Sequence, residues 1–106
     1  MELSFRTQRL RTLCEEHSAA VRAIGEPAAD VLRTRIADLR AATYLSDLPA
    51  GRPAVIEGNR PQLQFELRAG RSLLMVVGAG NQRVPRTDEG GLDQTRVRRA
   101  LVQDIS

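Results

Sequence analysis

Three arginines surround the most regular stretch of this chain and have the chemistry to bind a phosphate. Arg60 precedes a segment in which polar and apolar residues alternate, and Arg68 and Arg71 flank the pair Ala69-Gly70. A guanidinium group is planar, stays charged and presents paired donors that match the oxygens of a phosphate. The three side chains are therefore candidates for a phosphate clamp on an open sheet face. The alternative is that they are ordinary solvated charges.

Further arginines could extend such a patch along a nucleic acid. Arg83 and Arg86 lie in a glycine-rich segment, and Arg96, Arg98 and Arg99 lie near the end of the chain. Adjacent residues of a strand point to opposite faces, so one of Arg98 and Arg99 must face either the helices or the groove. The chain has sixteen arginines and no lysine, a net charge of +3 and a pI near 10.4. This balance favours a nucleic acid or an acidic protein as partner, although a coding bias explains the missing lysine equally well.

The other reactive side chains predict neither a metal site nor a cofactor. Cys14 is the single cysteine and falls on an apolar helical stripe, which is typical of a small buried residue. His17 is the single histidine, and its polar neighbours favour a surface position on a helix. Asp88, Glu89 and Asp93 crowd the glycine-rich segment without the spacing of a cation-binding loop, so ion pairs with arginine are the better interpretation.

A predicted β-hairpin positions the first group of arginines. Residues 62–68 alternate polar and apolar side chains with the period of a half-buried strand. Ala69-Gly70 predicts a tight turn, because glycine adopts the positive φ that such turns require. Residues 72–77 are apolar at nearly every position, which predicts a strand in the middle of a sheet, covered on both sides.

The remaining segments predict a single α+β domain over residues 1–106. Residues 2–5 form a short strand. A first helix runs from Thr7 to the stop at Gly25, and a second begins at Glu26-Pro27, forming an antiparallel helical hairpin. A meander of about four antiparallel strands follows, with a strand at 54–57, an irregular segment at 78–93 and a last strand at 96–104. The helices are expected on one face of the sheet, leaving the other partly open.

Two further expectations concern location. No apolar run approaches the roughly 20 residues that a membrane span requires, and the first residues lack the basic and then apolar order of a signal peptide. The sequence therefore predicts a cytoplasmic protein that does not contact a membrane.

Three local signatures, together with this order of elements, resemble the RelE/ParE superfamily of bacterial toxins and in particular its HigB-like branch. They are Leu-Arg-Ala-Ala-Thr at 39–43 with Leu-Ser-Asp-Leu-Pro at 45–49, Gly-Asn-Arg at 58–60, and Val-Pro-Arg-Thr-Asp-Glu-Gly-Gly-Leu-Asp at 84–93. The resemblance implies the toxin of a two-gene toxin–antitoxin module that cleaves messenger RNA on the ribosome. It also implies a partner antitoxin, expected to be a helix-turn-helix protein, through which alone the toxin would reach operator DNA.

The same resemblance implies active-site residues that this chain largely lacks. Where HigB-like toxins commonly have a histidine this chain has Ala54, and where they have an arginine in the return strand it has Leu74. Their ending Asp-Tyr-His is replaced by Asp104, Ile105 and Ser106. Only Arg60 and Asp104 remain of that set.

The missing residues affect one part of the expected chemistry most. RNA cleavage needs an activated 2′-hydroxyl, a stabilised phosphate charge and a protonated leaving oxygen. Arginine stabilises charge but carries protons poorly, since its pKa lies above about 12. Cleavage is therefore expected to be weakened, or rebuilt on Arg60, Arg68, Arg71 and Asp104. The alternatives are a catalytically degenerate homologue that binds RNA or antitoxin, a ParE-like toxin directed at gyrase, or a basic RNA-binding module without an antitoxin.

Overall fold

A computed structural model describes residues 1–78 and 83–106, which form three helices and a five-stranded mixed sheet. The strands are β1 Glu2–Phe5, β2 Ala54–Ile56, β3 Gln62–Glu66, β4 Ser72–Val77 and β5 Arg99–Ile105. The helices are α1 Gln8–Glu15, α2 His17–Ile24 and α3 Glu26–Ala41, and short 3₁₀ turns cover Leu45–Asp47 and Gln94–Arg96. The spatial order is β1-β5-β4-β3-β2, with β1 parallel to β5 and the other pairs antiparallel. The predicted α+β class is confirmed, and β4 lies in the middle of the sheet.

The hairpin of β3 and β4 has the turn that the sequence predicts. Ala69 and Gly70 both have positive φ, at 59° and 72°. The Arg71 N–H donates to the Arg68 carbonyl at 3.2 Å, and the Leu67 N–H donates to the Arg71 carbonyl at 2.9 Å. Two central residues with positive φ fit the right-handed twist of paired strands. The turn therefore sets the register that runs through the whole hairpin.

One hydrophobic core joins the helices to the sheet. Alternate residues of the three central strands are buried, and they form one cluster with buried residues of all three helices: Leu63, Phe65, Leu73, Met75, Val77, Ala100, Val102, Ile105, Leu10, Leu13, Ile24, Leu32, Ile36 and Leu39. The opposite face of β4 differs from the prediction, since Leu74 and Val76 are only half-buried. Gln62 and Gln64 of β3 flank them on that face, and polar neighbours do not build a second dry core.

The predicted first helix is two helices. Glu16 has φ −118° and ψ 104°, an extended conformation that ends α1 and begins α2. Its N–H still donates to the Thr12 carbonyl at 2.8 Å, and its own carbonyl accepts from Ala20 at 3.2 Å. Neither glycine nor proline marks the break, and the apolar spacing on each side is helical. The sequence pattern therefore predicted one continuous helix and missed the break at Glu16.

The last strand begins later than predicted. Asp93 accepts from the Thr95 N–H at 3.1 Å and caps the 3₁₀ turn, so β5 starts at Arg99 instead of position 96. Within the predicted irregular segment, Arg86 and Leu92 form an isolated antiparallel bridge. Residues 79–82 of that segment lie outside the described residues. None of the helices in the described ranges has the length and apolar character to cross a membrane.

Candidate functional site

Four residues stand side by side across the face of the sheet that is opposite the core. Ala54 pairs with Gln64, Gln64 pairs with Leu74, and Leu74 pairs with Asp104. Directly paired residues of antiparallel strands place their side chains on the same face. Their chain neighbours Leu63, Met75 and Ile105 are buried in the core, so these four face away from it. We call this set, Ala54, Gln64, Leu74 and Asp104, the central row.

The central row offers limited chemistry. Asp104 is an exposed carboxylate, Gln64 is a half-buried neutral amide, and Ala54 and Leu74 are apolar. A carboxylate can accept a proton and an amide can orient a hydroxyl. The single histidine cannot add to them here, because its Nε2 lies 3.1 Å from Asp30 on the adjoining helix. A second ionisable side chain is therefore missing from the row.

The structure separates the arginines that were candidates for one phosphate clamp. Arg68 and Arg71 lie at the turn of the hairpin, whereas the Arg60 guanidinium donates to the Val77 carbonyl at 3.3 Å, at the far end of β4. Five residue steps along β4 correspond to about 17 Å at the usual rise of a strand. Asp104 lies between the two ends, opposite Leu74. One phosphate group cannot contact all of these arginines together.

A cavity of about 420 Å³ opens at the end of the sheet where Arg60 lies. We call it the arginine cleft, because four arginines contribute to its lining, namely Arg83, Arg96, Arg98 and Arg99. The other lining residues are Met1, Glu2, Thr43, Val77, Gly78, Pro85 and Val97. Three of the four predicted nucleic-acid-binding residues, Arg83, Arg98 and Arg99, thus meet at one place. Arg86 does not line it.

Ion pairs and hydrogen bonds orient two arginines of the cleft. Arg99 Nε lies 2.7 Å from the Glu2 carboxylate, across the parallel pairing of β5 and β1. Arg96 Nε lies 2.8 Å from Asp93, and its Nη2 donates to a backbone carbonyl at 2.7 Å. Hydrogen bonds from Thr95 and Arg96 lower the pKa of Asp93 below its usual value. These side chains are held in position before any ligand arrives.

Arg98 is oriented by an aromatic ring instead. Its Cζ lies 5.9 Å from the centroid of Tyr44, within the range of a cation–π contact. Thr43, the residue before this tyrosine, also lines the cleft. No pattern in the sequence marked Tyr44 or Glu2 as a binding residue. Their places could not be read from the chain, because both are far in sequence from the arginines that they contact.

Arg86 ties the glycine-rich segment to the connection between β2 and β3. Its Nη2 donates to the Gly58 carbonyl at 2.7 Å and to the Asn59 carbonyl at 3.3 Å, and its Nη1 donates to the Gly90 carbonyl at 3.1 Å. Glu57 lies 3.6 Å from the same guanidinium. Most of its donors are used inside the fold, which leaves few for a nucleic acid.

No protein-family model, curated protein or solved structure matches this chain. The resemblance to HigB-like toxins therefore stays a prediction from the sequence signatures. Evidence for a function comes from two places, the central row on the open face and the arginine cleft at the end of the sheet.

Proposed function

We propose that this chain is a HigB-like toxin of a toxin–antitoxin module, acting on messenger RNA at the ribosome with weakened cleavage. One observation carries the proposal. The resemblance assigns catalytic side chains to positions 54, 60, 74 and 104–106. Three of these positions, 54, 74 and 104, are far apart in sequence and fall in one row on the open face, whereas Arg60 lies at the end of β4 and Ile105 is buried in the core. Residues that act on one phosphodiester must converge in this way.

The residue types of the row support weakened cleavage. A positioned general acid or base contributes about 10²- to 10⁴-fold to the rate. Ala54 and Leu74 provide neither, and Asp104 is the one ionisable side chain in the row. The arginines at the hairpin turn stabilise negative charge but do not exchange protons near neutral pH. A slow endoribonuclease that relies on the ribosome for further groups fits this set.

The proposal includes a cognate antitoxin. A toxin with basic patches is best neutralised by an acidic or apolar segment, laid as a helix in a groove or added as a strand to the sheet edge. We expect the antitoxin to be a helix-turn-helix protein encoded next to this chain. Contact with operator DNA would then pass through the antitoxin. This arrangement requires neither a cofactor nor a metal.

The decisive experiment restores the side chains that the row lacks. The chain and its Ala54→His/Leu74→Arg variant would be expressed without a partner, and the 5′ ends of cleaved messenger RNA would be mapped. We expect weak cleavage for the native chain and at least tenfold more for the variant, since one proton-transfer group contributes about 10² or more. Both replaced residues are exposed or half-buried, so the larger side chains can be accommodated.

Two controls make the result specific. Ala37→His places the same residue on an exposed position of α3, away from the row, and should leave cleavage unchanged. Asp104→Asn should abolish the remaining activity of the native chain. If neither the native chain nor the restored variant cleaves messenger RNA or slows growth, the toxin proposal is wrong.

A second candidate is a homologue that binds RNA or antitoxin but does not cleave. The same apolar residues at positions 54 and 74 favour it. The Asp104→Asn variant distinguishes the two candidates. In both cases it should bind RNA as the native chain does. It should lose cleavage only if the native chain is a nuclease.

A further inference from the structure

We propose that the arginine cleft is a second binding site for single-stranded RNA, which holds a backbone phosphate while Tyr44 stacks on a neighbouring base. The choice of RNA rests on the proposed function; the anion site itself rests on the geometry of the cleft. Its four arginines surround a cavity of about 420 Å³, and Glu2 is the one acidic side chain among the described lining residues. A volume of this size is within the range of small-ligand pockets and can hold one nucleotide unit.

The charge of the cleft selects an anion. Arg83, Arg96, Arg98 and Arg99 carry four positive charges, and Glu2 supplies one negative charge paired to Arg99. Concave walls concentrate the potential of such a cluster. Arg96 also uses Asp93, outside the lining, as a support that fixes its position. A phosphate entering the cleft would displace or share the Glu2 contact, which makes Glu2 a competitor of the ligand.

The tyrosine selects a nucleic acid over an acidic peptide. Tyr44 does not itself line the cavity, but it is half-buried, follows the lining residue Thr43 and lies next to Arg98, with the guanidinium 5.9 Å from its ring centroid. An aromatic ring beside phosphate-binding arginines is the arrangement by which proteins bind single strands, because every base has a π-face that can stack. A peptide whose side chains are all carboxylates has no π-face to stack on that ring.

The cleft and the central row can bind the same strand. Val77 at the cleft is three residues from Leu74 in the row, which is about 10 Å at the rise of a strand. The Val77 side chain faces the core, but Arg99 at the same cleft lies on the open face, because its neighbour Ala100 is buried. Between the cleft and the row, on the open face, lies the half-buried apolar pair Val76 and Leu101. Neighbouring nucleotides of one RNA can therefore occupy both places. The cleft would fix which phosphodiester reaches Asp104.

The experiment measures binding by fluorescence anisotropy with a labelled six-nucleotide RNA that carries 2′-O-methyl groups, so that cleavage cannot occur. Arg98→Ala should weaken binding at least about fivefold and reduce the slope of log affinity against log salt by about 0.7. Arg22→Ala removes the same charge from an exposed position on α2 and should change binding less than twofold. Equal effects of the two variants would overturn the proposal.

Two further variants test the proposal in ways that unfolding cannot imitate. Glu2→Gln removes the competitor of Arg99, so it should tighten RNA binding by about two- to fivefold; weaker or unchanged binding contradicts the cleft. Tyr44→Leu should weaken RNA binding about tenfold, while the binding of inorganic phosphate, measured by calorimetry, should fall much less, because only the orientation of Arg98 is affected. If phosphate binding falls equally, the stacking role of Tyr44 is wrong.

A polyglutamate peptide of the same charge separates the two classes of polymer. RNA should bind at least tenfold more tightly than the peptide, and equal affinities would replace the RNA assignment by an acidic protein partner. These measurements need neither ribosome nor growth. RNA binding that follows the variants in a chain without cleavage or toxicity would support the cleft and reject the proposed function. Cleavage or toxicity in a chain whose RNA binding does not follow the variants would reject the cleft alone.

Discussion

Cys14 shows how the surroundings of one side chain decide its reactivity. Burial raises the pKa of its thiol to about 12, and the nearby Glu15 carboxylate adds to the increase while Arg40 opposes it. The Arg40 guanidinium donates to Glu15 at 3.3 Å, so the two charges largely engage each other. Because the thiolate is the reactive form, Cys14 is expected to be inert at neutral pH.

Thiol labelling checks this expectation directly. At pH 8 the folded chain should react with a disulfide reagent at least tenfold more slowly than the same chain in denaturant, because very little thiolate is present below a pKa of about 12. Glu15→Gln should raise the rate of the folded protein modestly, since it removes a negative charge. Labelling of the folded chain as fast as that of the unfolded chain would show that the thiol is exposed.

For single residues, the sequence predicted the surroundings of a side chain better than its hydrogen-bond partners. The apolar stripe predicted a buried Cys14, and in the structure this residue packs against the core but is only half-buried. The role of Arg86 was not predictable in the same way, because its partners are the carbonyls of Gly58, Asn59 and Gly90. Backbone carbonyls are present at every residue and leave no mark in the sequence.

Gly51 and Gly70 both have positive φ, but only Gly51 is also in close contact with another side chain. Gly70 has φ 72°, and a Cβ there would meet no other atom within 4 Å. Gly51 has φ 68°, and a Cβ there would lie 2.2 Å from Cζ of Arg35. The guanidinium of α3 thus packs directly on the loop that leads to β2. Glycine adopts this backbone conformation freely, and the end of the flexible Arg35 side chain is the group that a Cβ at position 51 would displace.

Alanine substitutions at the two glycines should therefore differ. Gly70→Ala should lower the free energy of unfolding by about 1 kcal/mol through backbone strain alone. Gly51→Ala should cost more, because the Arg35 side chain must also move. In the Arg35→Ala background the excess should disappear, and the two glycine variants should become alike in urea unfolding. Equal losses in the native background would indicate that Arg35 moves aside without cost.

The elements themselves divide into predictable and unpredictable ones. The hairpin followed from a period of two and from Ala69-Gly70, because local turn chemistry fixes its register. The break at Glu16 did not follow, since its extended backbone is specified by neither a glycine nor a proline. The late start of β5 depends on the cap that Asp93 makes for the 3₁₀ turn. In the sequence, an aspartate that caps a single 3₁₀ turn looks like any other aspartate two residues before a threonine.

At the scale of the whole molecule, the sheet order creates the candidate sites. The last strand inserts between β1 and β4, which brings Asp104 beside Leu74 and places Arg99 beside Glu2. A register shift between Leu74 and Met75 also changes which residues of β5 face the core. Pairings of this kind depend on distant segments, so the central row and the arginine cleft could be located only in the folded chain.

A chain of polar contacts ties these distant segments together and passes through Asp93. Glu57, after β2, accepts from the Leu92 N–H at 3.3 Å and lies 3.6 Å from Arg86. The Arg86 carbonyl accepts from Arg96, and Arg96 is paired with Asp93 at 2.8 Å. Loss of the charge on Asp93 would therefore loosen the link between the glycine-rich segment and the turn before β5.

The pKa of Asp93 gives this link a pH dependence with a definite sign. Hydrogen bonds from Thr95 and Arg96 lower its pKa in the folded chain, whereas the unfolded chain has the ordinary value of about 3.8. The unfolded state then binds the proton more readily, so the stabilisation is complete above about pH 4 and is lost as the pH falls through the lowered value.

Urea unfolding from pH 6 to pH 3 should show Asp93→Asn less stable than the native chain by a constant amount at the upper end. The gap should narrow below pH 4. Asp88→Asn, an exposed carboxylate of the same loop, should follow the native chain throughout, and a gap for Asp93→Asn that persists unchanged at pH 3 would contradict the link.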